Sequence, residues 1–276
     1  MRILNRSSVV FSLAALVFSP AGKVLAKSIA GGTNAPACPY SEPALRVHIS
    51  LVIDGDTVAL KDGTRVRLIG IDTPEIGKRG APDEPFSIQA RDELKTLFER
   101  YNNQADLVYD TEQTDRYRRT LAHVYVNRNI SVQAWLLKSG LAFNLSVPPN
   151  LKNQTCYFSY AQKARTSKRG VWGEDYFKPI DAESIPPTAK GYRRVTGDVS
   201  SVKNARNGAI WINLRGGKFS AQIAENDAPL FKEVALNTFV GKRLTLQGYL
   251  LRKTRRGTQS NQFFMRLRHP DAIHIN

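Results

Sequence analysis

The chain has 276 residues and a mass of 30.8 kDa, enough for one large or two modest domains with ordinary cores. Apolar residues make up 42% and charged residues 23%, which excludes a disordered or collagen-like chain. The 40 Lys and Arg against 24 Asp and Glu give a net charge of +16. Such a charge favours a polyanionic partner, either nucleic acid or an acidic membrane surface.

Residues 1–26 have the pattern of a cleavable export signal. Arg2 and Arg6 form a positive start, Val9 to Phe18 is a short apolar run, and Val24-Leu25-Ala26 is a small-residue ending. The apolar run has about half of the ~20 residues that a spanning helix needs, so a permanent anchor is the less favoured alternative. Cleavage near Ala26 would lower the net charge from +16 to +13. The cleavable signal predicts a secreted or periplasmic protein with no stable membrane association.

Two cysteines, Cys38 and Cys156, follow the predicted signal. An exported protein meets an oxidising compartment, so we predict one disulfide between them. The alternative is two free thiols. The Cys and His residues do not have the spacing of a zinc site.

Residues 27–43 contain several Gly and Pro and predict an irregular lead-in, whereas residues 44–173 predict a first domain with five strands and three helices. The predicted strands are Arg46–Ile53, Thr57–Leu60, Arg65–Ile71, Ala105–Tyr109 and Thr120–Val126, and the predicted helices are Phe86–Tyr101, Ser131–Ser139 and Tyr157–Lys168. Short β-branched strands with tight turns favour a five-stranded oligonucleotide-binding barrel over a parallel α/β sheet. The predicted fold class is therefore α+β, mostly β.

Residues 174–191 are rich in Pro and Gly without a hydrophobic period, which predicts a linker. Residues 192–276 predict a second β domain with a short helix, Pro229–Leu236, between its third and fourth strands. The predicted strands are Gly197–Val202, Ala209–Asn213, Phe219–Ile223, Arg243–Leu251 and Phe263–Leu267. This order is typical of a second oligonucleotide-binding-like barrel.

The positive charge is concentrated in the second half of the chain. Residues 27–186 carry 21 basic and 19 acidic side chains, whereas residues 187–276 carry 16 and 5. The densest run contains Arg252, Lys253, Arg255 and Arg256 between two predicted strands, where a barrel would present a binding loop. We predict that it binds nucleic acid, and the alternative is a solvated basic hairpin.

Acidic residues follow two of the predicted strands. Asp54 and Asp56 are two residues apart, so both carboxylates can face one point, and Asp72 and Glu75 follow the third strand. Asp54-Gly55-Asp56 alone would indicate only a turn. Three acids that converge from adjacent strand ends are the ligand set of a hard divalent cation, Ca²⁺ or Mg²⁺.

Arg67, in the third predicted strand, and Arg119, just before the fifth, are candidate phosphate ligands. A guanidinium is a permanent bidentate donor that matches phosphate oxygens, and beside a metal it stabilises charge on a phosphorus under attack. The alternatives are a solvent-facing strand residue for Arg67 and a solvated pair for Arg118 and Arg119.

Four segments, in order between about Val47 and Trp172, resemble the staphylococcal nuclease family. They are Ile53–Val58, Arg65–Glu75, Thr114–Arg119 followed by Leu121-Ala122, and Leu136–Ala142. The resemblance implies a Ca²⁺-dependent phosphodiesterase on an oligonucleotide-binding barrel. Such an enzyme cuts DNA and RNA with little sequence preference and leaves 3′-phosphates.

The resemblance also implies roles for particular residues. Asp56 and Asp72 are then direct calcium ligands together with the Thr73 carbonyl, and Asp54 is a water-mediated ligand. Glu75 orients or deprotonates the attacking water. The phosphate clamps are Arg67 and Arg119, with Tyr117 near the bound phosphate and Arg118 beside it.

The chain departs from the family pattern at two places. Arg118 and Thr120 stand where the family often has glycines, and Phe143 and Asn144 stand where tyrosines stack on the substrate base. Some barrels of this family have lost catalysis and act as scaffolds, which is the alternative function. The complete set of Asp54, Asp56, Arg67, Asp72, Glu75 and Arg119 favours an enzyme.

Overall fold

The computed structural model describes residues 35–254 and 261–276, with side chains for residues 35–252 and 263–276. The predicted export signal lies outside these residues, as do Arg255, Arg256 and the side chain of Lys253. Within the described part of the chain, no helix is long and apolar enough to cross a membrane.

The first barrel closes through one parallel pair of strands. In chain order its elements are β1 (Leu45–Val52), β2 (Thr57–Leu60), β3 (Arg65–Leu68), β4 (Gly70–Asp72), α1 (Ser87–Arg100), β5 (Gln104–Val108), β6 (Thr120–Val126), β7 (Ile130–Ser131), α2 (Val132–Ser139), β8 (Phe143–Leu145) and α3 (Gln154–Thr166). β1, β2 and β3 form a meander, β5 joins β1 to β6, and β6 pairs parallel with β3. This is the predicted five-stranded oligonucleotide-binding barrel with three helices.

The predicted third strand, Arg65–Ile71, is in fact two strands. Gly70 has φ +85°, in the left-handed region that favours glycine, and a Cβ there would lie 2.5 Å from the Tyr157 ring. The chain bends at this point, so that β3 stays in the barrel and β4 pairs with β8 instead. Asp72 therefore lies on a separate two-stranded sheet beside the barrel.

The second barrel repeats the strand order of the first. It contains β10 (Gly191–Asn204), β11 (Ile210–Leu214), β12 (Phe219–Ile223), β13 (Arg243–Thr254) and β14 (Asn261–Arg266), and the parallel pair β12–β14 with the antiparallel pair β10–β13 closes it. Two edge strands extend it: β9 (Ile180–Asp181) and β15 (Ile273–Ile275). The predicted second barrel is confirmed.

Helical structure lies between β12 and β13 as predicted, but its type and bounds differ from the predicted stretch Pro229–Leu236. Two 3₁₀ turns, Glu225–Phe231 and Leu236–Phe239, occupy this region. Pro229 lies inside the first of them, where its missing N–H leaves one α-helical hydrogen bond unmade between Glu225 and Phe231.

The segment 174–191, which the sequence predicts as a linker, contributes side chains to both cores. Phe177 packs in the core of the first barrel, and Ala182 and Ile185 pack in the core of the second. Tyr192, at the start of β10, also belongs to the first core and stacks on Phe143 with 4.7 Å between ring centroids. The segment has no hydrophobic period because its apolar side chains come from a 3₁₀ turn and irregular backbone.

A disulfide joins the lead-in to α3, as predicted. Cys38 and Cys156 are 118 residues apart in sequence, and their Cα atoms lie 5.8 Å apart. The lead-in is also held by hydrogen bonds from Tyr125 Oη to the Pro39 carbonyl and from the Ser131 N–H to the Pro36 carbonyl. These contacts fix residues before β1 against the side of the first barrel.

Candidate active site

The turn Asp54-Gly55-Asp56 lies directly against the segment that follows β4. A Cβ on Gly55 would lie 2.7 Å from Thr73 Oγ1 and 2.8 Å from Ala90 Cβ on α1, so only glycine allows this approach. The Thr73 N–H donates to Asp56 Oδ2 at 3.2 Å. The two acidic motifs that the sequence singled out are therefore brought together.

Arg67 lies between the two buried aspartates. Its Nη2 atom is 3.0 Å from Asp56 Oδ2 and 3.2 Å from Asp72 Oδ1, and its Nη1 donates to the Leu68 carbonyl. The three side chains are 12%, 11% and 5% exposed, respectively. Arg67 is thus not a solvent-facing strand residue, because it forms the centre of a buried ion cluster.

The cluster holds more negative than positive charge. Burial raises the pKa of Asp72 to about 7 even though the Arg67 guanidinium opposes the shift. Burial and the charge of Asp56 raise the pKa of Asp54. Partial burial of the Glu75 carboxyl, with the charges of Asp56 and Asp54, raises its pKa as well. An additional cation here would relieve this repulsion.

The predicted calcium ligands do not surround a common centre as they stand. Among the described residues, no three His, Cys, Asp or Glu side chains are gathered in a way that could hold a metal ion. Asp54 Oδ1 accepts from the Asp56 N–H at 3.2 Å. The ion pairs of Arg67 are with Asp56 and Asp72 instead. The donor chemistry still fits a hard cation, because the set consists of carboxylate oxygens with an excess of negative charge.

Glu75 is exposed, and its backbone is held by Glu84. Its N–H donates to Glu84 Oε2 at 3.0 Å, and the Glu84 N–H donates to the Glu75 carbonyl at 2.9 Å. The other Glu84 oxygen accepts from Tyr176 Oη at 3.1 Å and from Arg193 Nη1 at 3.3 Å. Arg193 lies on β10, so the second barrel helps to fix the position of Glu75.

The second barrel also contacts Asp72 directly. Tyr249, on β13, donates from its hydroxyl to Asp72 Oδ1 at 2.5 Å, and its ring makes an edge contact with Tyr192. The sequence motifs do not mark Tyr249, Glu84 or Arg193 as parts of the site. No local pattern marks Tyr249, which lies 177 residues from its partner.

Arg119 is fixed by the turn that precedes β6. The Asp115 carboxylate accepts from the N–H groups of Tyr117 and Arg119 at 2.8 and 2.9 Å, and from Arg119 Nε at 2.8 Å. Arg118 has φ +63°, which explains why a glycine suits this position in the family. Its side chain is exposed.

Both predicted phosphate clamps line one cleft of about 490 Å³. Arg67, Arg119 and the exposed Tyr117 lie on it, and the apolar side chains Leu145 and Val147 form part of its wall. Phe143 and Asn144, at the positions of the family's stacking tyrosines, are buried instead. The cleft therefore combines guanidinium donors with an apolar surface, which suits a nucleotide.

The predicted basic loop is described only at its start. Arg252 is exposed near the end of β13. Lys253, Arg255 and Arg256 stay predictions.

We expect Tyr249→Phe to lower kcat several-fold with a smaller change in KM. The loss of the hydroxyl removes the donor that orients Asp72, whereas the ring contact with Tyr192 is kept. Steady-state cleavage of a single-stranded DNA measures the effect. Tyr160→Phe, on α3, is the matched control, and equal kinetics for the two variants would contradict the expectation.

This chain is similar to known nucleases. Residues 65–174 match the family described as staphylococcal nuclease homologue. The thermonuclease of Staphylococcus hyicus is 37% identical over 124 residues, 44% of this chain and 72% of the relative. That of Staphylococcus intermedius is 37% identical over 127 residues, 45% and 74%. The endonuclease YhcR of Bacillus subtilis is 27% identical over 213 residues, 72% of this chain and 17% of the relative.

The family match and the thermonuclease and endonuclease relatives show an enzyme of the nuclease class, and its closed barrel carries both predicted arginines on one cleft. The chain belongs to the staphylococcal nuclease family. It is a hydrolase whose substrates are nucleic acids, and the predicted family is confirmed.

Proposed function

We propose that this protein is an exported, calcium-dependent nuclease that hydrolyses DNA and RNA and leaves 3′-phosphates. The buried cluster of Asp56, Arg67 and Asp72 beside the cleft is the observation that carries the proposal. The cluster places the Arg67 guanidinium, which can bind phosphate, beside two carboxylates. Phosphodiester hydrolysis in this family uses both.

Asp56, Asp72 and the Thr73 carbonyl would hold the calcium ion, with Asp54 acting through water. When bound, the ion polarises a phosphoryl oxygen and makes the phosphorus more electrophilic. Arg67 and Arg119 line the cleft and donate to the phosphate oxygens. Because negative charge on those oxygens grows toward the transition state, the two guanidiniums stabilise it more than the bound substrate.

Glu75 takes the proton of the attacking water. Burial and the charges of Asp56 and Asp54 raise its pKa, which makes the carboxylate a stronger base than an ordinary surface glutamate. The Glu75 N–H donates to the Glu84 carboxylate and the Glu84 N–H donates to the Glu75 carbonyl, and these two hydrogen bonds fix the Glu75 backbone. This arrangement leaves the Glu75 side chain free to face the substrate.

We also propose that residues 192–276 act as a domain that binds the polyanionic substrate, following the predicted first domain (44–173) and linker (174–191). Residues 187–276 carry 16 basic and 5 acidic side chains. Deletion of this region would remove Tyr249 and Arg193 from the active site and Tyr192 from the first core. Charge variants of the intact chain are therefore a better test than truncation.

We expect simultaneous replacement of Arg252, Lys253, Arg255 and Arg256 by Gln to weaken nucleic-acid binding and to flatten its salt dependence. Each lost phosphate contact lowers the slope of log K against log salt by roughly 0.7 for a single strand. Fluorescence anisotropy with a labelled oligonucleotide in chelator measures this slope. An unchanged slope would show that the loop is only a solvated hairpin.

A nucleic-acid-binding scaffold without catalysis is the second candidate. One observation favours it: internal donors already engage both central aspartates, Asp56 through the Thr73 N–H and Arg67, and Asp72 through Arg67 and Tyr249. A cation would have to compete with these donors for the carboxylates.

Incubation of the full chain with single-stranded DNA, double-stranded DNA and RNA, in calcium and in EGTA, separates the two candidates. The proposal predicts cleavage of all three in calcium. Absence of cleavage from folded protein that still binds DNA would establish the scaffold.

A further inference from the structure

A second basic site lies where α3 meets the last strand of the second barrel. Phe158, Gln162 and Arg165 of α3 and His274 and Ile275 of β15 line an open groove of about 610 Å³. None of its lining residues lies on the catalytic cleft. The groove is therefore a feature that the proposed hydrolysis does not use.

Arg165, which lines the groove, and Arg194 of β10 both lie against the indole ring of Trp172. Arg194 Cζ is 5.3 Å and Arg165 Cζ is 5.9 Å from the centroid of the Trp172 ring. Arg194 is 9% exposed, and its Nε atom has no hydrogen-bond partner. Neither arginine forms an ion pair with an acidic side chain in the described part of the chain.

The electrostatics of the groove show uncompensated positive charge. Burial, together with the charge of Arg165, lowers the pKa of Arg194 to about 10. Burial and both guanidiniums lower the pKa of His274 to about 3, so its ring is neutral at pH 7. His274 Nε2 is also buried without a hydrogen-bond partner.

Asp271, whose charge acts on His274, does not supply the missing counter-charge. Asp271 Oδ2 accepts from Ser146 at 2.5 Å, from Gln154 at 3.2 Å and from Asn144 at 3.3 Å. Its other oxygen lies 3.2 Å from His269 Nδ1. Asp271 is thus committed to its own hydrogen-bond network, and the two arginines stay without an anion.

We propose that this groove binds a phosphate group through Arg165, with His274 beside it and with the charge of Arg194 close by on the same Trp172 ring. A buried guanidinium without a counter-ion is costly, and an anion with several oxygens removes that cost while it satisfies the free donors. Guanidinium groups match the geometry of phosphate oxygens. The phosphate can come from a nucleic-acid backbone or from free phosphate.

The test is a titration of the full chain with inorganic phosphate in EGTA at constant ionic strength. The NMR signal of the His274 ring is monitored at each phosphate concentration. We expect a saturable shift, and we expect Arg165→Gln to raise the Kd by about tenfold or more, since a charge-assisted hydrogen bond is lost. Arg165 is only half-buried on α3, so its variant is expected to fold. Arg194→Gln should act in the same direction.

Arg206→Gln, on the exposed hairpin between β10 and β11, removes the same charge elsewhere and is the matched control. Absence of a His274 shift, or equal Kd values for Arg165→Gln and Arg206→Gln, would overturn the proposal. A parallel titration with a short oligonucleotide in EGTA identifies the source. A shift with both ligands assigns the groove to nucleic-acid phosphates, and a shift with inorganic phosphate alone assigns it to free phosphate. A negative result in this titration would not contradict the proposed nuclease activity, because the titration measures phosphate binding and not cleavage.

Discussion

Glu75→Gln is expected to lower kcat by about 10²- to 10⁴-fold, the usual contribution of a general base. The amide has the shape of the carboxylate but accepts no proton from water. Glu84 holds Glu75 through the backbone N–H and carbonyl of Glu75, so a change in the Glu75 side chain is expected to leave the local structure intact. Single-turnover cleavage of a labelled DNA in calcium measures the rate.

The same variant should bind oligonucleotides in EGTA with nearly unchanged affinity. Glu99→Gln, an exposed position on α1, is the control for loss of one carboxylate. A kcat within a few-fold of the unaltered protein would contradict the role of Glu75. So would a loss of binding that accounts for the whole effect.

Arg67→Ala is expected to lower the free energy of unfolding by about 3–5 kcal/mol in EGTA, the usual effect of removing one partner of a buried ion pair. The substitution leaves Asp56 and Asp72 buried without their counter-charge. Calcium should recover part of the lost stability, since it supplies positive charge to the same carboxylates. Equilibrium urea unfolding with and without calcium measures both effects.

Arg91→Ala removes an arginine from a largely exposed ion pair with Asp92, and such a pair is worth about 1 kcal/mol or less. An Arg67→Ala protein as stable as this control would show that Arg67 does not neutralise the acidic cluster. Arg67→Lys keeps the charge but loses the fork that reaches both aspartates. We expect it to be intermediate in stability and low in activity.

Local sequence patterns predict most strands of both barrels. β2, β6 and β12 have the predicted bounds, since alternating β-branched residues end at clear turn signals. The break at Gly70 was missed because its cause, the ring of Tyr157, is distant in sequence. The short strands β8 and β15 were missed for a similar reason, because their partners β4 and β13 lie far away along the chain.

The motifs predict which acidic and arginine residues meet, because their positions at strand ends fix them on one side of the barrel. Asp56, Arg67 and Asp72 lie together as those motifs indicate. The contributions of Tyr249 and Arg193 could not be predicted, because they depend on how the second barrel packs against the first. The second barrel therefore supports the active site as well as carrying the basic surface.

Cleavage of a 5′-end-labelled single-stranded DNA by the full chain, in calcium and then in EGTA with analysis of the new 3′ ends, tests the central claim most directly. We expect products only in calcium, and their mobility should change after treatment with a 3′-phosphatase. Cleavage that persists in EGTA, or products that end in a 3′-hydroxyl, would contradict it.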